Sequence, residues 1–194
     1  YLAGKKFLNE NPDFFERNSS AVAKDILGSE IILERNNIKL SGIIVETEAY
    51  LSERDKASHS FPGKSARNNS MFLSGGHIYV YRIYGIHFCF NIVTGLCGSG
   101  EAVLIRAIEP LEGKEIMADN RKIKLSENRK DLIKLCNGPA KICQAFGITI
   151  ADDGKVLQGS EFRLTLHKPL EESEIGESER IGITKSKELK LRYY

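Results

Sequence analysis

The stretch HIYVYRIYGIHFCFNIV, residues 77–93, is the most strand-like part of this chain, and the reading of its neighbours depends on it. Aromatic and β-branched residues fill it, the types that suit a pleated, half-buried surface. Tyr84-Gly85 interrupts the run, and Gly85 can supply the positive φ of a tight turn, so the segment predicts two strands meeting at a protruding hairpin tip. Tyr79 and Tyr81 then share one face, where cross-strand packing accounts for them as well as a site does. Tyr84 at the tip would be held out in solvent, which forgoes burial and implies an outside receiver. A base stack is one such receiver, since aromatic or apolar wedges part base steps in a minor groove.

Upstream, IVETEAY at 44–50 raises a second question. Strict alternation would put Ile44, Glu46, Glu48 and Tyr50 on one face and Val45, Thr47 and Ala49 on a core face. Two carboxylates on a half-buried surface must be paired, hydrogen-bonded or used. Arg106, alone in the apolar run AVLIRAIEP at 102–110, is the cation expected beside them. For Glu46 a structural ion pair is sufficient. Glu48 also has Tyr50 on its face and His59 in the loop beyond, and a carboxylate among aromatic rings can activate water as a general base.

The remaining segments extend this pattern. Ser19 or Ser20 is expected to cap a short helix with Val22, Ala23, Ile26 and Leu27 on one face, closed by Gly28. Extended runs at 30–34 and 38–50 flank Asn36-Asn37, a hairpin pair. Residues 51–76 form a long polar loop with a helical turn near Met71, and loops of that length in a domain tend to be functional. Residues 114–135 predict a charged amphipathic helical region, and Pro139 to Phe146 a further short helix begun by Gly138-Pro139. The tail runs from an acidic stretch, 171–179, to a basic end, 185–192. Strands gathered in one half with helices at the edges predict an α+β fold across 1–194: a single domain on a curved antiparallel sheet with peripheral helices. The order is not βαβα, and there is neither a GxGxxG nor a Walker loop, which argues against a doubly wound nucleotide fold.

Composition narrows the partners. At 194 residues and 41% hydrophobic content, the chain can bury one good core. No apolar run approaches the ~18 residues of a membrane span, and the Tyr1 to Lys5 start lacks signal-peptide architecture. A net charge of +2 permits a polyanionic partner without demanding one. Cys89, Cys97, Cys136 and Cys143 form no CxxC pair and have no histidine at finger spacing, so no zinc site is expected, and the apolar surroundings of Cys89 and Cys143 suggest packed thiols. Asn91, an amide in an apolar strand, either satisfies backbone groups or reads a base edge. Arg67-Asn68 and the Gly138-Pro139-Ala140-Lys141 run offer exposed donors suited to phosphates or to solvent.

Taken in order, VETEAY, DKASHS, ARNNSMF, YVYRIYGIHFCFNIV, VLIRAIEPLEG, LCNGPAKICQAFGI and RIGI resemble the alkyladenine (3-methyladenine, methylpurine) DNA glycosylase family, from about Phe14-Phe15 to the RIGI motif. The resemblance implies a monofunctional enzyme acting on double-stranded DNA that holds damaged purines. Such an enzyme flips out 3-methyladenine, 7-methylguanine or hypoxanthine and hydrolyses the N-glycosidic bond. By position, it implies Glu48 as general base, Arg106 holding the water with it, and Tyr50, His59, Tyr81 and Asn91 around the base. It further implies Tyr84 as the intercalating residue and Lys141 at the DNA backbone, where the exposed Arg67 is expected as a second phosphate contact from its place in the loop. Glu46 matches a family position to which no catalytic role transfers. No cofactor, metal or protein partner is implied, and a monomer is expected in the cytoplasm with the nucleoid, or in the nucleus of a eukaryote. With no lysine placed beside Glu48, hydrolysis to an intact abasic strand is expected. The sequence departs from its relatives in a KLRYY end and the absence of any tryptophan, which leaves open the wall near Ile181 and Ile183.

Two rival readings are weaker. A sugar glycosidase using Glu46 and Glu48 would have two neighbours on one strand face, about 6 to 7 Å apart at Cα, approaching from one side rather than flanking the bond. A non-catalytic binder of distorted DNA would keep the wedge but would have no need of Glu48, Arg106 and Asn91 together.

Overall fold

A computed structural model describes residues 13–126, 128–159 and 161–194, so the Tyr1 to Lys5 start lies outside the described residues. Helix α1 (Ser19–Asp25) is followed by β1 (Glu30–Arg35) and β2 (Ile38–Tyr50), and then, after the long loop, by β3 (Ile78–Ile83), β4 (His87–Thr94) and β5 (Glu101–Glu112). Three helices come next, α2 (Lys114–Asn120), α3 (Arg129–Cys136) and α4 (Pro139–Phe146). Short strands β6 (Phe162–Thr165), β7 (Glu177–Ser178) and β8 (Arg192–Tyr193) complete the order. The strands form one curled antiparallel sheet in the order β3-β4-β5-β2-β1-β6, with β8 added to β2 and β7 to β8. The fold is α+β, as the sequence indicates.

Local chemistry explains the turns. Asn36 and Asn37 both take positive φ, 52° and 61°, the backbone of a tight hairpin that asparagine tolerates. The β3–β4 hairpin closes through Tyr84 at φ 49° and Gly85 at φ 74°, with Ile86 completing the tip. The loop at 51–76 contains one 3₁₀ turn, Asn69–Phe72, around Met71. Pro139 opens α4, and Gly147 closes it at φ 67°. At α1 the cap is Asn18, whose side chain accepts the Ser20 N–H at 2.9 Å. Neither Ser19 nor Ser20 is the cap, because Ser19 is buried with its hydroxyl donating to the Tyr50 carbonyl at 3.3 Å. The helical region expected at 114–135 is two helices. Lys122 turns left-handed between them, at φ 52°, and Ile123 and Leu125 pack back onto the core.

The two faces of the sheet have different chemistry. One packs against the helices through Ala49, Val80, Phe90, Ile92, Val103 and Ile105. The other carries Glu48, Tyr50, Tyr79, Tyr81, Asn91 and Arg106, with Met71 and Phe72 of the loop against it. The strict alternation expected for 44–50 fails at its first residue. Ile44 pairs with Ile108, Glu46 with Ala107 and Thr47 with Ile105, so Val45 on β2 and Arg106 on β5 each fall outside the ladder. This double irregularity puts Ile44 into the core beside Ala49 and turns Val45 outward. Bulges re-aim side chains, and here Arg106 is brought onto the same face as the two glutamates.

Candidate active site

The second face of the sheet forms the floor of an open cleft of about 610 Å³, a volume in the range of small-molecule sites. Tyr50, His59, Tyr81, Asn91 and Arg106 all line it, with Tyr84 and Arg67 at its hairpin side and the 181–185 segment opposite. Residues expected from separate parts of the sequence therefore meet in one place. Glu48 does not line the cleft itself. Its side chain is fully buried one layer down, beneath Tyr50, Arg106 and Ile181.

The Glu48 carboxylate is held at both oxygens. Oε1 accepts the Ile181 backbone N–H at 2.7 Å and lies 3.4 Å from Arg106 Nη1, while Oε2 accepts the Tyr50 hydroxyl at 2.9 Å. Burial raises its pKa, opposed by Arg106, the Ile181 N–H, the Tyr50 hydroxyl and Arg180. A raised but well-held carboxylate suits proton abstraction, and Oε2, which accepts one hydrogen bond, keeps a lone pair unused. Burial and the Glu48 charge also keep the Tyr50 phenol protonated, so it remains a donor at neutral pH.

Glu46 takes the role that composition allows it, an ion pair. Its Oε1 accepts Arg106 Nε at 3.0 Å and Arg192 Nη1 at 3.0 Å. Arg106 is therefore divided between the two carboxylates.

His59 and Tyr81 form one aromatic wall in edge-to-face contact, with ring centroids 4.5 Å apart at 79°. Tyr79, which packing alone could have explained, stands beneath them and bonds His59 Nδ1 through its hydroxyl at 2.9 Å. Burial, followed by the Arg67 charge, lowers the His59 pKa, so its ring is neutral at physiological pH. The Asn91 amide donates to the carbonyls of Tyr79 at 3.0 Å and Cys89 at 3.5 Å, which fixes its plane at the cleft floor. It satisfies backbone and faces the cleft at once. Cys89 beside it is a free thiol whose pKa burial raises, as expected of a packed cysteine.

The opposite wall comes from the tail, which the sequence left open. Ile181, Gly182 and Ile183 line the cleft, and Gly182 takes φ 78°. Arg180 anchors them from inside, with Nη2 on Asp55 Oδ1 at 2.7 Å, Nη1 on the Ala49 carbonyl at 3.0 Å and its guanidinium 4.6 Å from the Tyr50 ring centroid. Both charges of the Arg180–Asp55 pair are fully buried. Arg180, Asp55, Tyr79 and Arg192 were not read from sequence as parts of a site; the position of Arg180 directly before the IGI wall was the available signal.

At the mouth, Tyr84 is 90% exposed and Ile86 73%. Two large side chains thus stand at a hairpin tip uncovered by any of the described residues. Arg67 lies nearby, its guanidinium 3.5 Å from the Arg82 carbonyl, and Arg82, Lys56 and Lys185 also line the rim. Lys141 stands apart from the cleft. Its ammonium bonds Asn137 Oδ1 at 2.7 Å beside a smaller hollow with Arg121 and Lys124, while Pro139 of the same helix reaches the cleft.

The sequence of residues 13–194 matches the family of methylpurine-DNA glycosylase (MPG). A protein of Methanoculleus marisnigri named "Putative 3-methyladenine DNA glycosylase" is 44% identical over 184 residues, 93% of this chain and 92% of its own. Proteins of the same name from Carboxydothermus hydrogenoformans and Agrobacterium fabrum are 43% and 44% identical, each across 93% of this chain and across 92% and 85% of their own. With a match over almost the whole chain and relatives of this similarity, the protein belongs to the methylpurine-DNA glycosylase family.

Proposed function

We propose that this protein removes alkylated purines from double-stranded DNA by flipping the damaged nucleotide into the cleft and hydrolysing its N-glycosidic bond with a water activated by Glu48. The arrangement that carries the proposal is the Glu48 carboxylate directly under a cleft walled by Tyr50, His59 and Tyr81, with Arg106 and the Ile181 N–H fixing it. An everted purine stacks on these rings, a contact worth about 1–3 kcal/mol per base. That offsets part of the few kcal/mol that unstacking costs, which is lower for damaged bases that pair poorly. Alkylation at N3 or N7 gives the purine a positive charge, which adds a cation–π contribution against neutral aromatic faces. Tyr84 enters the gap left in the stack, and Arg67, Lys56 and Lys185 at the rim suit flanking phosphates. Lys141 meets the backbone farther along the duplex.

In the chemical step Glu48 takes a proton from water as its oxygen attacks the anomeric carbon, and the carboxylate steadies the oxocarbenium character that develops there. A cationic base leaves neutral and needs no acid. 3-Methyladenine and 7-methylguanine are therefore the favoured substrates, and hypoxanthine, which is neutral, is slower. The product is an unbroken abasic strand, released by a monomer. The same reading places the protein with the nucleoid in a bacterium and in the nucleus of a eukaryote.

The test incubates protein with duplexes carrying 7-methylguanine, 3-methyladenine or hypoxanthine and measures free base by chromatography. Wild type releases base; Glu48→Gln binds the lesion duplex and releases none. Full activity in Glu48→Gln, or a wild type that binds without turnover, overturns the reading. Lys56 and Lys185 line the rim, so borohydride trapping is the control for strand cleavage. A trapped covalent adduct would refute simple hydrolysis.

A further inference from the structure

The tail strand β8 places Arg192 beside β2, and the residue joins three parts of the site through its backbone and its side chain. The backbone of Arg192 pairs with that of Glu48. Arg192 Nε donates to Ser178 Oγ at 2.9 Å and to the Glu179 carbonyl at 3.0 Å, immediately before Arg180 and the Ile181 N–H that holds Glu48. Arg192 Nη1 donates at 3.0 Å to Glu46 Oε1, the same oxygen that accepts Arg106 Nε. All three side chains are largely buried, at 23%, 22% and 13% exposure for Arg192, Glu46 and Arg106.

From this shared oxygen we infer that Glu46 and Arg192 are positioning residues that set how Arg106 is divided between Glu46 and the catalytic Glu48, and so hold Arg106 facing the cleft. The inference rests on Glu48 being the general base. Arg106 has two carboxylates within reach and a weaker hold on Glu48, at 3.4 Å, than on Glu46, at 3.0 Å. Without Glu46, the one carboxylate left to it among the described residues is Glu48, and it collapses onto it, closing a direct pair where water is needed. Without Arg192, Glu46 has a single cation left among the described residues and draws Arg106 away from Glu48. The C-terminal strand thereby acts on the reaction without touching substrate.

The groups facing Glu48 are Tyr50 on its own strand, Arg106 from β5, Cys89 from β4 and Arg180 from the tail; those facing Glu46 are Arg106 and Arg192. An opposite charge brought nearer favours the carboxylate, and one taken away disfavours it. The two substitutions therefore have opposite signs. In single-turnover release of 7-methylguanine from a duplex, Glu46→Gln should move the acid limb of the pH–rate profile to lower pH and lower the plateau. Arg192→Met should move the limb to higher pH, each by roughly half to one unit. Arg192→Lys, which keeps a cation against Glu46, should restore the wild-type limb. Lesion-duplex affinity stays within about threefold throughout, because none of these residues meets DNA.

Limbs that stay in place, or that move together, overturn the inference, including when activity falls with thermal stability, the result of a purely structural role. Release of base by wild type in the same series keeps this outcome distinct from failure of the Glu48 reading, in which wild type itself is inert.

Discussion

The Tyr50 hydroxyl donates a 2.9 Å hydrogen bond to Glu48 Oε2, joining two residues on the same face of one strand. The ring of Tyr50 lines the cleft while its hydroxyl reaches below it, so one side chain has two separable duties. Tyr50→Phe keeps the stacking face and removes the donor. The buried carboxylate then loses one of the contacts that oppose its raised pKa, and the acid limb of the pH–rate profile should move to higher pH. Base release at neutral pH should fall on the order of tenfold with lesion-duplex binding preserved, measured by single-turnover kinetics alongside a binding titration. A parallel loss of binding would assign Tyr50 to stacking alone.

Glu48 should also cost the fold stability. Its folded-state pKa is raised, by burial first, above the value in the unfolded chain. Ionising it is therefore unfavourable to folding, a penalty that is absent below the unfolded pKa, grows as pH rises between the two values and is complete above the folded one. Glu48→Gln escapes the penalty, and Arg106 retains Glu46 as a partner. Thermal melts should place Glu48→Gln above wild type at pH 7, by about 2–4 °C for each kcal/mol in a chain of this size, with the advantage fading near pH 3. Equal melting temperatures at pH 7 would show that the carboxylate is not strained.

Much of this arrangement was legible because it is local. Asn36-Asn37, Tyr84-Gly85 and Gly138-Pro139 fix their turns through backbone preferences that act within a few residues. Glu48, Tyr50 and Arg106 stood out because charged or polar groups on apolar strands require partners. The irregularity at Val45 was not legible, since it depends on the register against β5 and on Arg106 leaving the same ladder. Nor was β8, a strand of two residues whose extended state comes from pairing with β2. Its consequence, Arg192 on Glu46, joins residues 146 positions apart in sequence.

The Arg180–Asp55 pair is the buried anchor between the tail and the site. Breaking a buried pair leaves one charge without its partner and typically costs about 3–5 kcal/mol. Arg180→Met should lower stability by that order in urea denaturation, because among the described residues the Asp55 carboxylate would retain only the Leu51 and Ala57 backbone N–H groups. The loss extends to chemistry, since the Ile181 N–H on Glu48 follows directly in the chain. Base release per folded molecule should therefore fall as well. A variant that folds less stably yet reacts at the wild-type rate would separate the anchor from the wall.

Tyr84 allows wedge and fold to be tested against each other. It sits at φ 49°, a left-handed conformation that a bulky aromatic rarely adopts, and it is almost fully exposed, so its side chain returns little packing for that strain. Glycine takes such angles freely. Tyr84→Gly should therefore melt at or above the wild-type temperature while both lesion-duplex affinity and base release fall, on the order of tenfold or more, because the gap left by the everted nucleotide goes unfilled. Single-stranded substrate needs no wedge, so release from a lesion in a single strand should be insensitive to the change. If Tyr84→Gly lost activity equally on both substrates, the tip would be acting on the cleft rather than on the base stack, and Ile86, the other exposed apolar residue there, would be the next side chain to truncate.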